Sequence, residues 1–161
     1  MNKKQPIAYV ICGFIGAGKT TFARKLEKET GAIRITKDEW MIQIFGNKIT
    51  SGKNFEVYDH NIIELTRNIS FKILKSGGDV ILDEGFWAKS QRDDIKKKII
   101  NVGAKPIFYY VECPIEKMKE RVATRSKIPP EDSFEINEEM FDEYLKYWEP
   151  PTKEEDILLV A

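Results

Sequence analysis

The 161-residue sequence predicts a three-layer α/β fold, with a five-stranded parallel sheet and helices on both faces. Strand-like and helix-like segments alternate from start to end. The strand-like runs are almost continuously apolar, as strands covered on both faces are. Each run leads to the next through a helix, which implies parallel strands rather than hairpins. The chain reads as one domain over residues 1–161, with no repeats, low-complexity tracts or interdomain linker.

Ile7–Cys12 (IAYVIC) is the first apolar strand. Lys19–Thr30 carries Phe22, Ala23 and Leu26 at helical spacing, and Gly31 is a C-terminal stop. Residues 32–36 (AIRIT) read as a short strand. Thr36 with Glu39 has the form of a capping box for a helix to about Phe45. Residues 46–54 are a polar loop. Over Phe55–Lys75, Tyr58, Ile62, Leu65, Ile69 and Ile73 mark a long amphipathic helix. Residues 79–83 (DVILD) form a strand that finishes on a carboxylate. Ser90 can cap the next helix, whose buried face holds Ile95, Ile99 and Val102. Residues 105–113 are a strand, and Pro114 starts a helix to about Arg125, with Ile115, Met118 and Val122 inside. Residues 126–136 read as a polar loop, and 137–148 as a helix aligning Phe141, Tyr144, Leu145 and Trp148. Pro150 and Pro151 break the chain before a last strand at 156–161.

Bulk composition narrows the function classes. Lys plus Arg and Asp plus Glu are both 26, so the formal net charge is zero, which speaks against extended nucleic-acid binding. Cys12 and Cys113 are far apart and form no C-x-x-C pair, so a zinc-ribbon lid is excluded. Each ends an apolar run, as expected of free thiols in a reducing cytoplasm. The polar N-terminus lacks a signal-peptide run and no segment reaches membrane-spanning length, so a cytoplasmic location and no membrane contact are expected.

Residues 13–20 read GFIGAGKT, a full match to G-x-x-x-x-G-K-[ST], set between an apolar strand and an amphipathic helix. Gly13, Gly16 and Gly18 let the backbone curl so that successive N–H groups, Ala17 and Thr21 included, face one concavity. That nest and the positive end of the helix suit phosphate. Lys19 can reach the β- and γ-phosphates, and the Thr20 hydroxyl can ligate Mg²⁺. ATP with Mg²⁺ is the expected ligand.

Neither N-K-x-D nor D-x-x-G of a GTPase is found, and an AAA+ motor module would need a longer chain with a helical lid domain. A kinase needs a carboxylate near the acceptor hydroxyl, cations around the transferring phosphoryl and a lid against water. Asp38 follows the second strand, at the sheet edge where ligands bind, and can accept or orient the hydroxyl proton; it can also simply favour a helix N-terminus. Asp83 at the tip of DVILD has the Walker B arrangement and can serve Mg²⁺ or the acceptor. Glu84 is a weaker candidate. Phe86 and Trp87 can stack a ring, with core packing as their plainer role. Arg121 and Arg125 share one helical face before loop 126–136, and can close over the triphosphate or form a solvated basic face. Arg92 can bind acceptor or phosphate, or lie at the surface. The single histidine, His60, reads as structural or solvated.

Together GFIGAGKTTFARKL, KDEWM, ILDEGFW, Arg92 and ERVATRS resemble the small P-loop kinases of the polynucleotide kinase and zeta-toxin-like type, a group of AAA-type ATP-binding proteins. Chloramphenicol phosphotransferase is similar in plan. The resemblance runs from Ile7 to about Val160. It implies strand order 2-3-1-4-5, Asp38 as the acceptor-side base, and Asp83 and Arg92 on the acceptor side. It also implies Arg121 and Arg125 as residues of a lid at about 121–137, with 150–155 (PPTKEE) near adenine. Polynucleotide kinases tend to carry a polar Thr-Asn pair where this chain has Glu84 and Gly85. The expected function is therefore γ-phosphate transfer to a hydroxyl of a small molecule or a 5′ strand end. A regulatory nucleotide-binding module without an acceptor and a zeta-like toxin kinase are the alternatives.

Overall fold

Five parallel strands are joined by six α-helices, singly or in pairs, in a computed structural model that describes residues 4–46, 54–127 and 134–161. The strands are β1 (Ile7–Cys12), β2 (Ile33–Ile35), β3 (Val80–Gly85), β4 (Lys105–Val111) and β5 (Leu158–Val160). The helices are α1 (Lys19–Thr30), α2 (Lys37–Phe45), α3 (Phe55–Lys75), α4 (Lys89–Asn101), α5 (Ile115–Lys127) and α6 (Glu138–Leu145). The sheet order is β2-β3-β1-β4-β5, with every pairing parallel. Most of the loops expected at 46–54 and 126–136 lies outside the described residues.

The apolar runs produce two cores because side chains alternate across a strand. Tyr9 and Ile11 of β1 pack with Ala23 and Leu26 of α1, Met118 and Val122 of α5, and Phe141 of α6. Ala8, Val10 and Cys12 face the other way, onto Leu74 of α3 and Ile95 and Ile99 of α4. Both thiols are free, Cys12 buried and Cys113 half-buried. Among the described residues no helix is long and apolar enough to cross a membrane.

Three local expectations are corrected. The buried stripe of α3 is Ile62, Thr66, Ser70 and Leu74, one position beyond the apolar residues, while Leu65 is exposed. Thr66 and Ser70 tolerate burial because their hydroxyls donate to the carbonyls of Ile63 and Thr66, at 2.9 and 2.7 Å. The Thr36–Glu39 capping box does not form. Arg34 donates to the Thr36 hydroxyl and pairs with Glu39 at 3.0 Å, so both halves of the box are occupied. Ser90 lies inside α4, and Ala88 precedes that helix with its N–H donating to Gln91 Oε1 at 3.2 Å.

Candidate active site

The strands β1, β2 and β3 end on the same side, and the functional side chains gather beyond their C-terminal ends. A register shift between β1 and β3 sets Cys12 opposite Gly85. This bulge lies beside Asp83 and Glu84, where bulges commonly re-aim side chains. The next residue, Phe86, has φ 47°, a left-handed conformation that costs a bulky side chain energy and concentrates at functional sites.

The loop between β1 and α1 wraps as its motif requires, but the N–H groups of Gly13 and Ala17 do not face an open nest here: they donate to the carbonyls of Gly85 at 3.1 Å and Phe14 at 3.2 Å. Gly16 has φ +77°, and a Cβ there would stand 2.9 Å from the Met118 carbonyl oxygen, so no other residue fits without moving α5. Gly18 is the left-handed cap of α1, at φ 103°, with no side-chain cap. The first N–H groups of α1 are therefore left for an anion. Lys19 Nζ donates to the Phe14 carbonyl at 2.9 Å, within the loop it is expected to serve. Desolvation pulls the Lys19 ammonium below its ordinary range, against the opposing pull of Asp83 and Asp38.

One cavity of about 330 Å³ joins these groups: Lys19 and Thr20 from the first turn of α1, Asp83 from β3, Asp38 from α2 and Arg125 from α5. Asp83 is 4% exposed, and burial pushes its carboxyl up to about 6, partly offset by Lys19. Its Oδ2 is buried and has no hydrogen-bond partner among the described residues. A buried orphan oxygen beside a threonine hydroxyl fits a hard cation that takes few protein ligands and completes its shell with water and phosphate. Thr20 and Asp83 are therefore the residues that would hold Mg²⁺. Asp38 is half-exposed and open to the cavity.

Unfolded, an aspartate titrates near 3.9, so between about 4 and 6 the folded chain binds more protons at Asp83 than the unfolded chain does. Stability of the nucleotide-free protein accordingly falls as pH rises through that window, by about 3 kcal/mol for a shift of roughly two units. Asp83→Asn is expected to raise the urea midpoint at pH 7.5 and to flatten its change between pH 4 and 7. A lower midpoint at pH 7.5 would contradict this origin of the shift.

The two arginines of α5 divide. Arg121 donates to the carbonyls of Gly16 at 3.0 Å and Ala17 at 3.2 Å, and so buttresses the loop from behind. Arg125, one turn on, is exposed and borders both the cavity and an adjoining groove beside Thr21, Trp148 and Pro150. His60 is exposed on α3.

Arg92 does not join the site. It is 2% exposed, pairs with Glu155 at 2.6 Å and donates to the carbonyls of Phe86, Trp87 and Glu149, each at 3.0 Å. It therefore ties α4 to the strained turn after β3 and to the segment before β5. Arg92→Met would strand the Glu155 carboxylate and is expected to cost about 3 kcal/mol in urea unfolding at pH 7. A loss below about 1 kcal/mol would show the pair to be dispensable.

Among the side chains that line the cavity, Lys37, Asp59, Phe134 and Tyr144 had no site role in the sequence reading. Lys37 pairs with Asp59 at 2.6 Å, while Phe134 and Tyr144 form apolar wall with Trp87. Glu84 lines the cavity too: its Oε2 pairs with Arg67 at 3.0 Å, its Oε1 is buried with no hydrogen-bond partner among the described residues, and burial raises its carboxyl against the pull of that arginine. Asp59 lies next to His60, whose exposure agrees with its reading as a solvated residue.

The chain belongs to the AAA domain family, whose model matches residues 9–151. No curated protein matches it. It is similar to a chain of the Pnkp1/Rnl/Hen1 RNA repair complex, at 21% identity over 91% of this chain, with TM-score 0.72. It spans 41% and 45% of the two RNA repair chains it matches, less than half of either. A candidate kinase from Chloroflexus aurantiacus aligns over 98% of this chain and 88% of its own, at 17% identity and TM-score 0.75. The APS kinase CysC of Mycobacterium tuberculosis, in complex with AMPPNP and APS, aligns over 97% of this chain and 88% of its own, at 13% identity and TM-score 0.64. At these identities the likeness is one of fold: the chain has the architecture of the P-loop kinases.

Proposed function

We propose that this chain is an ATP-dependent kinase that moves the γ-phosphate onto a hydroxyl. One observation carries the reading: a phosphate-binding loop, an orphan buried carboxylate and a half-exposed carboxylate border one cavity. Asp38 stands in the first turn of α2, but its opening onto the cavity beside the phosphate loop is what an acceptor hydroxyl needs and a module without an acceptor does not. The family and the kinase fold support the same class.

The chain's own residues supply the steps. The remaining loop N–H groups and the α1 N-terminus bind the phosphates, and Lys19 leaves the Phe14 carbonyl to bridge the β- and γ-oxygens. Bound at Thr20 and Asp83, Mg²⁺ would neutralise phosphate charge. The acceptor oxygen forms a bond to the γ-phosphorus as the bond to the β-bridging oxygen breaks, which releases ADP. The hydroxyl proton passes to an Asp38 carboxylate oxygen. A loose transition state demands position from Asp38 more than basicity. Arg125 supplies charge at the equatorial oxygens, and Arg121 keeps the loop in shape.

The acceptor is a small molecule or a strand end, since the cavity is small and the net charge zero. The test is transfer from γ-labelled ATP with Mg²⁺ to a panel of nucleosides, sugars, aminoglycosides, amino-sugar nucleotides and 5′-hydroxyl oligonucleotides. A labelled ester is expected with at least one class. Label found only as inorganic phosphate across the panel would favour a regulatory ATPase.

A further inference from the structure

Lys37 stands between two carboxylates, and the spacing is unequal. Its Nζ is 2.6 Å from Asp59 Oδ1 and 3.5 Å from Asp38 Oδ1. The first is a charge-assisted hydrogen bond; the second is longer than one. The side chains of Lys37 and Asp59 are 17% and 22% exposed, against 50% for Asp38. The cation is thus sheltered and committed across the gap from α2 to α3, and Asp38 is left as the open carboxylate of the cavity.

This division is not what a lysine next to an aspartate does when left alone. A sheltered ammonium does not stay unpaired, and without Asp59 its nearest carboxylate is Asp38. Glu84 also acts on Lys37 electrostatically: Arg67 holds its Oε2, while its buried Oε1 has no partner among the described residues, so a lysine that goes to Glu84 in place of Asp38 would also overturn the proposal below. Burial alone would lower the Lys37 ammonium; Asp38 and Asp59 reverse this and hold it above its ordinary range, so the cation persists in the cavity.

We propose that Asp59 is a positioning residue, which holds Lys37 off Asp38 and so keeps the Asp38 carboxylate free for the acceptor hydroxyl. The inference rests on the kinase reading, in which Asp38 receives that proton. A plain strut between α2 and α3 would behave differently. It predicts that removing Lys37 after Asp59 brings no recovery.

The experiment has two readouts. The first is the crystal structure of Asp59→Asn, in which Lys37 Nζ is expected within hydrogen-bond reach of Asp38. The second is kcat for phosphoryl transfer from ATP to adenosine, gluconate, kanamycin and a 5′-hydroxyl trinucleotide. Asp59→Asn is expected to lower kcat about tenfold with the Kd for a fluorescent ATP analogue unchanged. Lys37→Met/Asp59→Asn is expected to be about threefold faster than Asp59→Asn, as coupled neighbours allow. A lysine that turns to solvent in the crystal, or a double variant no faster than the single, overturns the proposal. If the wild-type chain phosphorylates neither these four nor any other acceptor of the panel, the kinase reading and the catalytic half of this inference fall together. The position of Lys37 in the crystal still decides whether Asp59 holds it off Asp38.

Discussion

Lys19→Ala is expected to lower phosphoryl transfer about a thousandfold. The basis is the loss of a pre-placed cation from the charge that develops on the γ-phosphoryl and leaving oxygens. The lysine already sits inside the loop, on the Phe14 carbonyl at 2.9 Å, so its movement to the phosphates is short. Its ammonium is desolvated and balanced by Asp83 and Asp38, which makes its field stronger there than in water. The variant should still fold, because the loop is held from α5 by Arg121 and not by Lys19 alone. The measurement is initial rate with ATP and the best acceptor of the panel, beside the thermal midpoint. A loss under tenfold in a folded variant would mean that Lys19 does not meet the transferring group.

Asp38→Asn should separate binding from transfer. The substitution keeps size and removes the proton acceptor, so transfer is expected to fall by about a hundredfold or more, within the range of a positioned general base. Affinity for ATP should hold, because the loop and α1 carry the phosphates. Half-exposed and without a hydrogen bond that orders the fold, Asp38 contributes little stability, so the unfolding midpoint should barely move. An equal loss of ATP affinity and of rate would place Asp38 on the nucleotide instead.

The parts of this site that were legible in the sequence are those set by local chain geometry. Residues 13–20 declare a phosphate loop because the glycine positions, the lysine and the flanking strand and helix lie in one short stretch. Asp83 is legible because an acid that ends an apolar strand has one place to go, the C-terminal edge of the sheet. The long-range pairs were not legible. Arg92 early on a helix looks the same whether it faces solvent or Glu155, and that partner is 63 residues away. Lys37 and Asp59 meet across 22 residues and two helices, with no shared motif to signal it. The stripe of α3 was misphased because Thr66 and Ser70 count as polar until their hydroxyls are seen to turn back on their own helix. The capping box at Thr36 failed to a competitor, Arg34, that local pattern does not rank.

The central claim is that γ-phosphate goes to a hydroxyl through Asp38, not to water. It is tested most directly by the ratio of labelled ester to labelled inorganic phosphate made from γ-labelled ATP, in wild type and Asp38→Asn. The account predicts ester as the main product of the wild type, and in the variant a collapse of ester with residual hydrolysis unchanged. A ratio that does not move on Asp38→Asn, or no ester from the wild type with any acceptor, would contradict it.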